Sequence, residues 1–65
     1  MKNQNQLSFD LEQIVDAEGM GTILETLAQI CFEKSEHIAT NYDDKTLAAQ
    51  WKKDGGKLMK LSGEF

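Results

Sequence analysis

Around residues 20–42 the apolar positions recur with the period of an α-helix. At 100° per residue, Met20, Leu24, Leu27, Cys31, Ser35, Ile38 and Tyr42 fall along one side. Ile23 and Ile30 widen that side in one direction, and Ala28, Phe32 and Ala39 widen it in the other. The resulting apolar arc spans on the order of 200°, more than one neighbouring helix covers. Glu25, Gln29, Glu33 and Glu36 take the remaining face. Thr22 followed by Glu25 has the spacing of a capping box, in which each side chain bonds the other residue's backbone N–H. The pattern predicts a helix over about residues 22–41.

Asn41-Tyr42-Asp43-Asp44 interrupts this pattern, and Asp43 or Asp44 is placed to cap a further helix over about 44–61. Leu47, Trp51, Leu58 and Leu61 follow at helical spacing, with Lys53, Lys57 and Lys60 gathered opposite. Gly55-Gly56 is the weak point, because two interior glycines cost a helix about 2 kcal/mol relative to alanine. Either the helix ends near Asp54 and restarts, or Gly55 admits a neighbouring backbone beside Trp51; we expect a continuous, frayed helix. Upstream, Asp10 with Gln13 forms another capping-box pattern, and Phe9 and Ile14 are spaced for a hydrophobic staple. Leu11, Ile14 and Val15 give a short helix over about 11–17 its apolar side, and Gly19 and Gly21 end it. Residues 1–7 are polar and unpatterned and read as a flexible arm, leaving 8–65 as one small domain. The short connection between the second and third helices makes them antiparallel. The expected fold is all-α: an antiparallel helical hairpin with a short N-terminal helix, in an oligomeric bundle.

Length and cysteine count explain why the bundle is expected to be oligomeric. A chain near this length of 65 residues buries only about 60% of its unfolded surface. Its single cysteine closes neither an internal disulfide nor a four-thiolate zinc site. The wide arc of the second helix then points to a shared interface. The residues expected in the core or in self-association are Met20, Ile23, Leu24, Leu27, Ile30, Cys31, Ile38, Tyr42, Leu47, Trp51 and Leu58.

Charge divides the chain unevenly. Residues 1–44 carry nine acids against Lys2 and Lys34, a net of −7, whereas residues 45–65 carry five lysines against Asp54 and Glu64, a net of +3. A hairpin sets the acidic helix beside the lysines, which accounts for the asymmetry through exposed pairs worth about 0–1 kcal/mol each. The chain has no arginine, the residue that reads guanine and clamps phosphate, so specific nucleic-acid readout is not expected. No run approaches the roughly 18 apolar residues of a membrane span, and no signal-peptide pattern follows Met1. With a lone free thiol, the expected location is the cytoplasm.

Few side chains offer chemistry. Glu33, His37 and Asn41 lie at i, i+4 and i+8, so Glu33 is placed to orient one ring nitrogen of His37 and leave the other for a partner. The plainer reading is a solvated helix edge. The Glu33, Glu36 and His37 spacing departs from the Glu-x-x-His of di-iron bundles, because residue 34 is lysine, so neither metal nor cofactor is expected. Cys31 sits mid-stripe and reads as a buried structural thiol. Trp51 reads as a core anchor, with an exposed hot spot as the rival. Catalytic residues are not expected.

The run from Leu27 to Ile38 (LAQICFEKSEHI), continuing through Asn41-Tyr42 and Asp44 to Leu47-Ala48 and Trp51, resembles a family of short helical orphan proteins of bacteria and their phages. The resemblance covers about residues 22–51 and departs from the family at Tyr42, where tryptophan is common. It implies a compact helical accessory protein, phage-linked, and carries over no catalytic residue. The expected function is a small acidic, non-enzymatic interaction factor that self-associates and binds a protein partner through Glu33, Glu36, His37, Asn41, Asp43 and Asp44. Two alternatives are a phage-type inhibitor whose acidic surface blocks a nucleic-acid-binding enzyme, and a small subunit of a larger hetero-assembly.

Overall fold

A computed structural model describes residues 4–65. It contains three helices, α1 (Gln4–Glu18), α2 (Met20–Asn41) and α3 (Lys45–Ser62). The second and third pack on each other as an antiparallel hairpin, and α1 touches α2 sparsely without approaching α3. The Cα trace measures 37 × 31 × 13 Å, so the molecule is a slab about one helix thick.

The hairpin is held at a seam of small residues. Gly21, Ala28 and Ser35 recur every seven residues on α2, and Ala48, Gly55 and Ser62 recur every seven on α3. The two rows face each other in antiparallel register. A Cβ built on Gly55 would lie 3.1 Å from the carbonyl oxygen of Ala28, and one built on Gly21 would lie 3.8 Å from that of Ser62. Between α2 and the start of α3, the Ser35 hydroxyl donates to the Ala48 carbonyl at 2.6 Å. A strict seven-residue repeat keeps one stripe of each helix turned toward its partner, and small side chains let the axes draw together. Leu24, Cys31 and Ile38 on α2 and Trp51 and Leu58 on α3 fill the intervening positions of the same repeat. Leu24, Ala28, Cys31 and Ala48 are the buried apolar residues, and Gly55 is buried with them.

Glycine supplies the close approach at one point. Phe32 lays its ring across Gly55, where a Cβ would come within 2.7 Å of Cε1 and 2.9 Å of Cδ1. Helix α3 therefore runs unbroken through Gly55-Gly56 to Ser62, because packing at the first glycine offsets the weak helix propensity of the pair. The chain turns between the two helices at Tyr42, Asp43 and Asp44. Asp43 has φ of +51°, a conformation that aspartate accepts more readily than most residues. Asp44 caps α3 by accepting from the Leu47 N–H at 3.0 Å, one of the two caps anticipated from the sequence.

The N-terminal half departs from expectation. Helix α1 begins at Gln4 rather than near residue 11, so residues 4–7 are helix, not arm; residues 1–3 of the anticipated arm lie outside the described residues. Asp10 is not a cap: it sits inside α1, where it accepts from the Gln6 side chain one turn earlier at 3.1 Å. Phe9 is exposed on the same helix rather than stapled at its start. Thr22 likewise lies inside α2, which starts at Met20 after Gly19, and no side chain caps it. Gly19 has φ of +86°, a conformation that favours glycine, and this single residue separates α1 from α2.

The two adjacent glycines should respond to substitution in opposite ways. Gly56 meets nothing within 4 Å of a built Cβ. Gly56→Ala should therefore raise stability by about 0.5–1 kcal/mol through helix propensity alone. Gly55→Leu should lower it by about 2–3 kcal/mol by forcing the seam apart. Urea unfolding of the two variants against the parent checks the pair of signs.

Candidate functional site

Two surfaces stand out. The first is apolar. Among the described residues, thirteen large hydrophobic side chains are exposed, and none is completely buried. A seam of glycine, alanine and serine closes two helices tightly, but it leaves the larger side chains on the flanks. Met20, Leu27 and Ile30 form one flank of α2, between 41 and 43% exposed, and Ile23 beside them is half-buried. Leu47 and Leu61 form a flank of α3 at 45 and 43% exposed. Lys34, from the same flank of α2, places its ammonium 5.6 Å from the Trp51 ring centroid, which shows that both flanks open on one side of the slab. Trp51 and Leu58 are half-buried at the edge between that side and the seam.

Helix α1 adds a further apolar stripe. Leu7, Leu11 and Ile14 follow one another at spacings of four and three, each about half exposed. Ile14 lies in a shallow depression of about 460 Å³ lined also by Asp10, Gln13, Ala17 and Glu18. All five residues belong to α1, so this is an open flank of one helix and not an enclosed site.

The second surface is the hairpin tip. Asn41 turns its amide back onto the preceding turn and donates from Nδ2 to the carbonyl of His37 at 3.1 Å. The same nitrogen lies 2.9 Å from His37 Nδ1. A carbonyl only accepts, so this amide nitrogen is a donor, His37 Nδ1 is the acceptor, and the neutral ring carries its proton on Nε2. Tyr42 meets the His37 ring edge-on, with centroids 5.8 Å apart and planes at 69°. Asn41, not Glu33, therefore orients His37. Tyr42, assigned from sequence to the core or a self-association face, is 71% exposed at this tip.

The remaining anticipated residues separate. Glu33 and Glu36 are exposed along α2, and Asp43 and Asp44 are exposed at the turn, where Asp44 is occupied in capping. Cys31 is buried as a free thiol. Met20, Leu27, Ile30 and Leu47 lie on the open flank rather than in the seam, whereas Leu24 is buried and Ile38 half-buried. The cross-hairpin pairing of α2 acids with α3 lysines is not made: among the described residues, no lysine reaches a carboxylate within ion-pair distance. No group of three or more His, Cys, Asp or Glu is placed to hold a metal ion among the described residues. No described helix is long and apolar enough to cross a membrane.

In comparisons with known proteins, no family model matches the chain, and neither a curated protein nor a solved structure matches it.

The His37–Asn41 geometry has a spectroscopic consequence. Neutral His37 should show the Nε2–H tautomer in long-range ¹H–¹⁵N spectra, and Asn41→Ala should shift the balance between the two tautomers. An Nδ1–H ring in the parent would contradict the bond.

Proposed function

We propose that this protein is a small, non-enzymatic interaction factor that self-associates through its open apolar face and meets a protein partner with its acidic surface. The observation that supports the reading is the imbalance of burial: Leu24 is the only large aliphatic side chain in the buried set, against thirteen large hydrophobics left exposed among the described residues. A chain below about 70–80 residues rarely draws more than 3–5 kcal/mol from its own core, and association is one of the few remaining sources of stability. Covering the apolar side in an oligomer leaves outward the acids of α2, Glu25, Glu33 and Glu36, and the His37–Asn41–Tyr42 tip with Asp43. Such a surface favours a basic protein partner through long-range attraction.

Sedimentation velocity tests the self-associating half. A dimer or larger species should form at micromolar concentrations, and the unfolding temperature should rise with protein concentration. A monomer that unfolds cooperatively and independently of concentration would overturn it. A chain that is poorly folded alone, and gains helicity only with an unlike protein, would replace it with the hetero-assembly reading. For the partner-binding half, neutralising Glu33, Glu36, Asp43 and Asp44 should weaken capture of the partner and remove its salt dependence.

A further inference from the structure

The hairpin tip holds a contact that only the neutral form of its histidine permits. Asn41 Nδ2 carries two hydrogens, and both serve the residue one turn back: its carbonyl at 3.1 Å and its ring Nδ1 at 2.9 Å. A proton on Nδ1 turns that nitrogen from acceptor to donor, and two donors then face each other. Exchanging the two ends of the amide is no remedy. Oδ1 could accept from the new N–H, but it would take the place of Nδ2, 3.1 Å from a carbonyl oxygen that only accepts. Neither orientation of the amide in its present place satisfies both contacts once the ring is charged. The surroundings do not hold the cluster shut. His37 and Asn41 are exposed, Tyr42 is 71% exposed, and by helical position His37 lies opposite the Gly21–Ala28–Ser35 row that packs on α3. The charged and titratable groups around the ring are Glu33 and Lys34 on the preceding turn, Tyr42 edge-on, Asp43 and Asp44 in the turn, and Lys45 at the start of α3. Helix α1 joins α2 at the opposite end.

We propose that the tip is a proton-operated latch, in which uptake of a proton at His37 Nδ1 opens the His37–Asn41–Tyr42 cluster. With the ring neutral, Asn41 fastens it to the last turn of α2, and Tyr42 meets its edge. Protonation ends the Nδ1 contact, so ring and amide part, and the edge contact with Tyr42 goes with the ring orientation that made it. The proton comes from solvent and no other reactant takes part. Histidine makes this change between about pH 5 and 8. The seam is untouched, because Ser35 reaches the Ala48 carbonyl from the other side of α2. One proton therefore changes the surface of the tip from neutral and closed to cationic and open while the hairpin stays as it is. This goes beyond the partner-binding reading and needs no partner to be present.

NMR spectra of the full chain, recorded between about pH 8 and pH 5, test the latch. The Asn41 side-chain amide signals should shift in one step that shares its midpoint with the His37 ring signals. Cross-peaks between the Tyr42 and His37 rings should be lost across the same step. The methyl signals of Leu24 and Ala28, which report the buried seam, should stay in place. In His37→Gln the Asn41 step should disappear while circular dichroism keeps the helix content of the parent. Asn41 signals that ignore the titration of His37 would overturn the proposal. So would an Asn41 step that survives in His37→Gln, since it would belong to a carboxylate of the tip such as Asp43. Movement of the Leu24 and Ala28 signals in the same step would overturn it as well, by showing a change of the whole hairpin in place of a latch at its tip.

Discussion

At Ala28 and Gly55 the backbones of α2 and α3 come close enough that the ring of Phe32 and a carbonyl oxygen occupy the space a side chain would need. That approach depends on a row of small residues repeated every seven positions on each helix, in opposed register. It sets the separation of the two axes and the register of the hairpin. It also sets the depth to which every neighbouring side chain sinks. Ser35 adds direction: its hydroxyl fixes α2 against the Ala48 carbonyl near the turn, where the seam would otherwise be free to slide. Buried apolar volume is small as a result, and the seam works through proximity and backbone-level contact rather than bulk.

Tight closure has a cost on the flanks. Side chains of leucine and isoleucine size do not fit a glycine-alanine seam, so they are displaced to the edges and remain half wet. Two helices cannot enclose an apolar core by themselves, and a third helix laid over the trough is the usual remedy. This chain possesses a third helix of suitable length and carries it away from the trough on a single left-handed glycine. The open apolar surface of the hairpin and the exposed stripe of α1 are thus aspects of one geometric fact.

The helical class, the antiparallel hairpin and the Asp44 cap were legible in the sequence, because periodicity and capping are local signals. The breadth of the apolar arc on residues 20–42 also translated faithfully, into a seam flanked by exposed leucine and isoleucine. Three features were not read. The start of α1 was missed because Asp10 and Gln13 imitate a cap, whereas Gln6 reaches Asp10 within a continuing helix; the Leu7–Leu11–Ile14 spacing was the signal that outranked them. The small-residue seam was missed because glycine, alanine and serine carry little weight in a hydrophobic pattern, although their seven-residue spacing on both helices is visible once sought. The Glu33–His37 pairing gave way to Asn41, whose short amide reaches both the ring and the carbonyl of the same histidine.

Only three residues, Tyr42, Asp43 and Asp44, separate the helices that meet at the seam. Their contacts are consequently close in sequence, which keeps loop-closure entropy low and contact order small. Ser35 and Ala48 can meet early, since they stand nearest the turn. Gly55-Gly56 makes the distal half of α3 a poor helix until Phe32 and Ala28 arrive to support it. Counted outward from the turn, the seam meets in the order Ser35 with Ala48, Ala28 with Gly55, and Gly21 with Ser62. The glycine crossing is therefore its middle layer, and the contact farthest from the turn is the one nearest both the start of α2 and the end of α3.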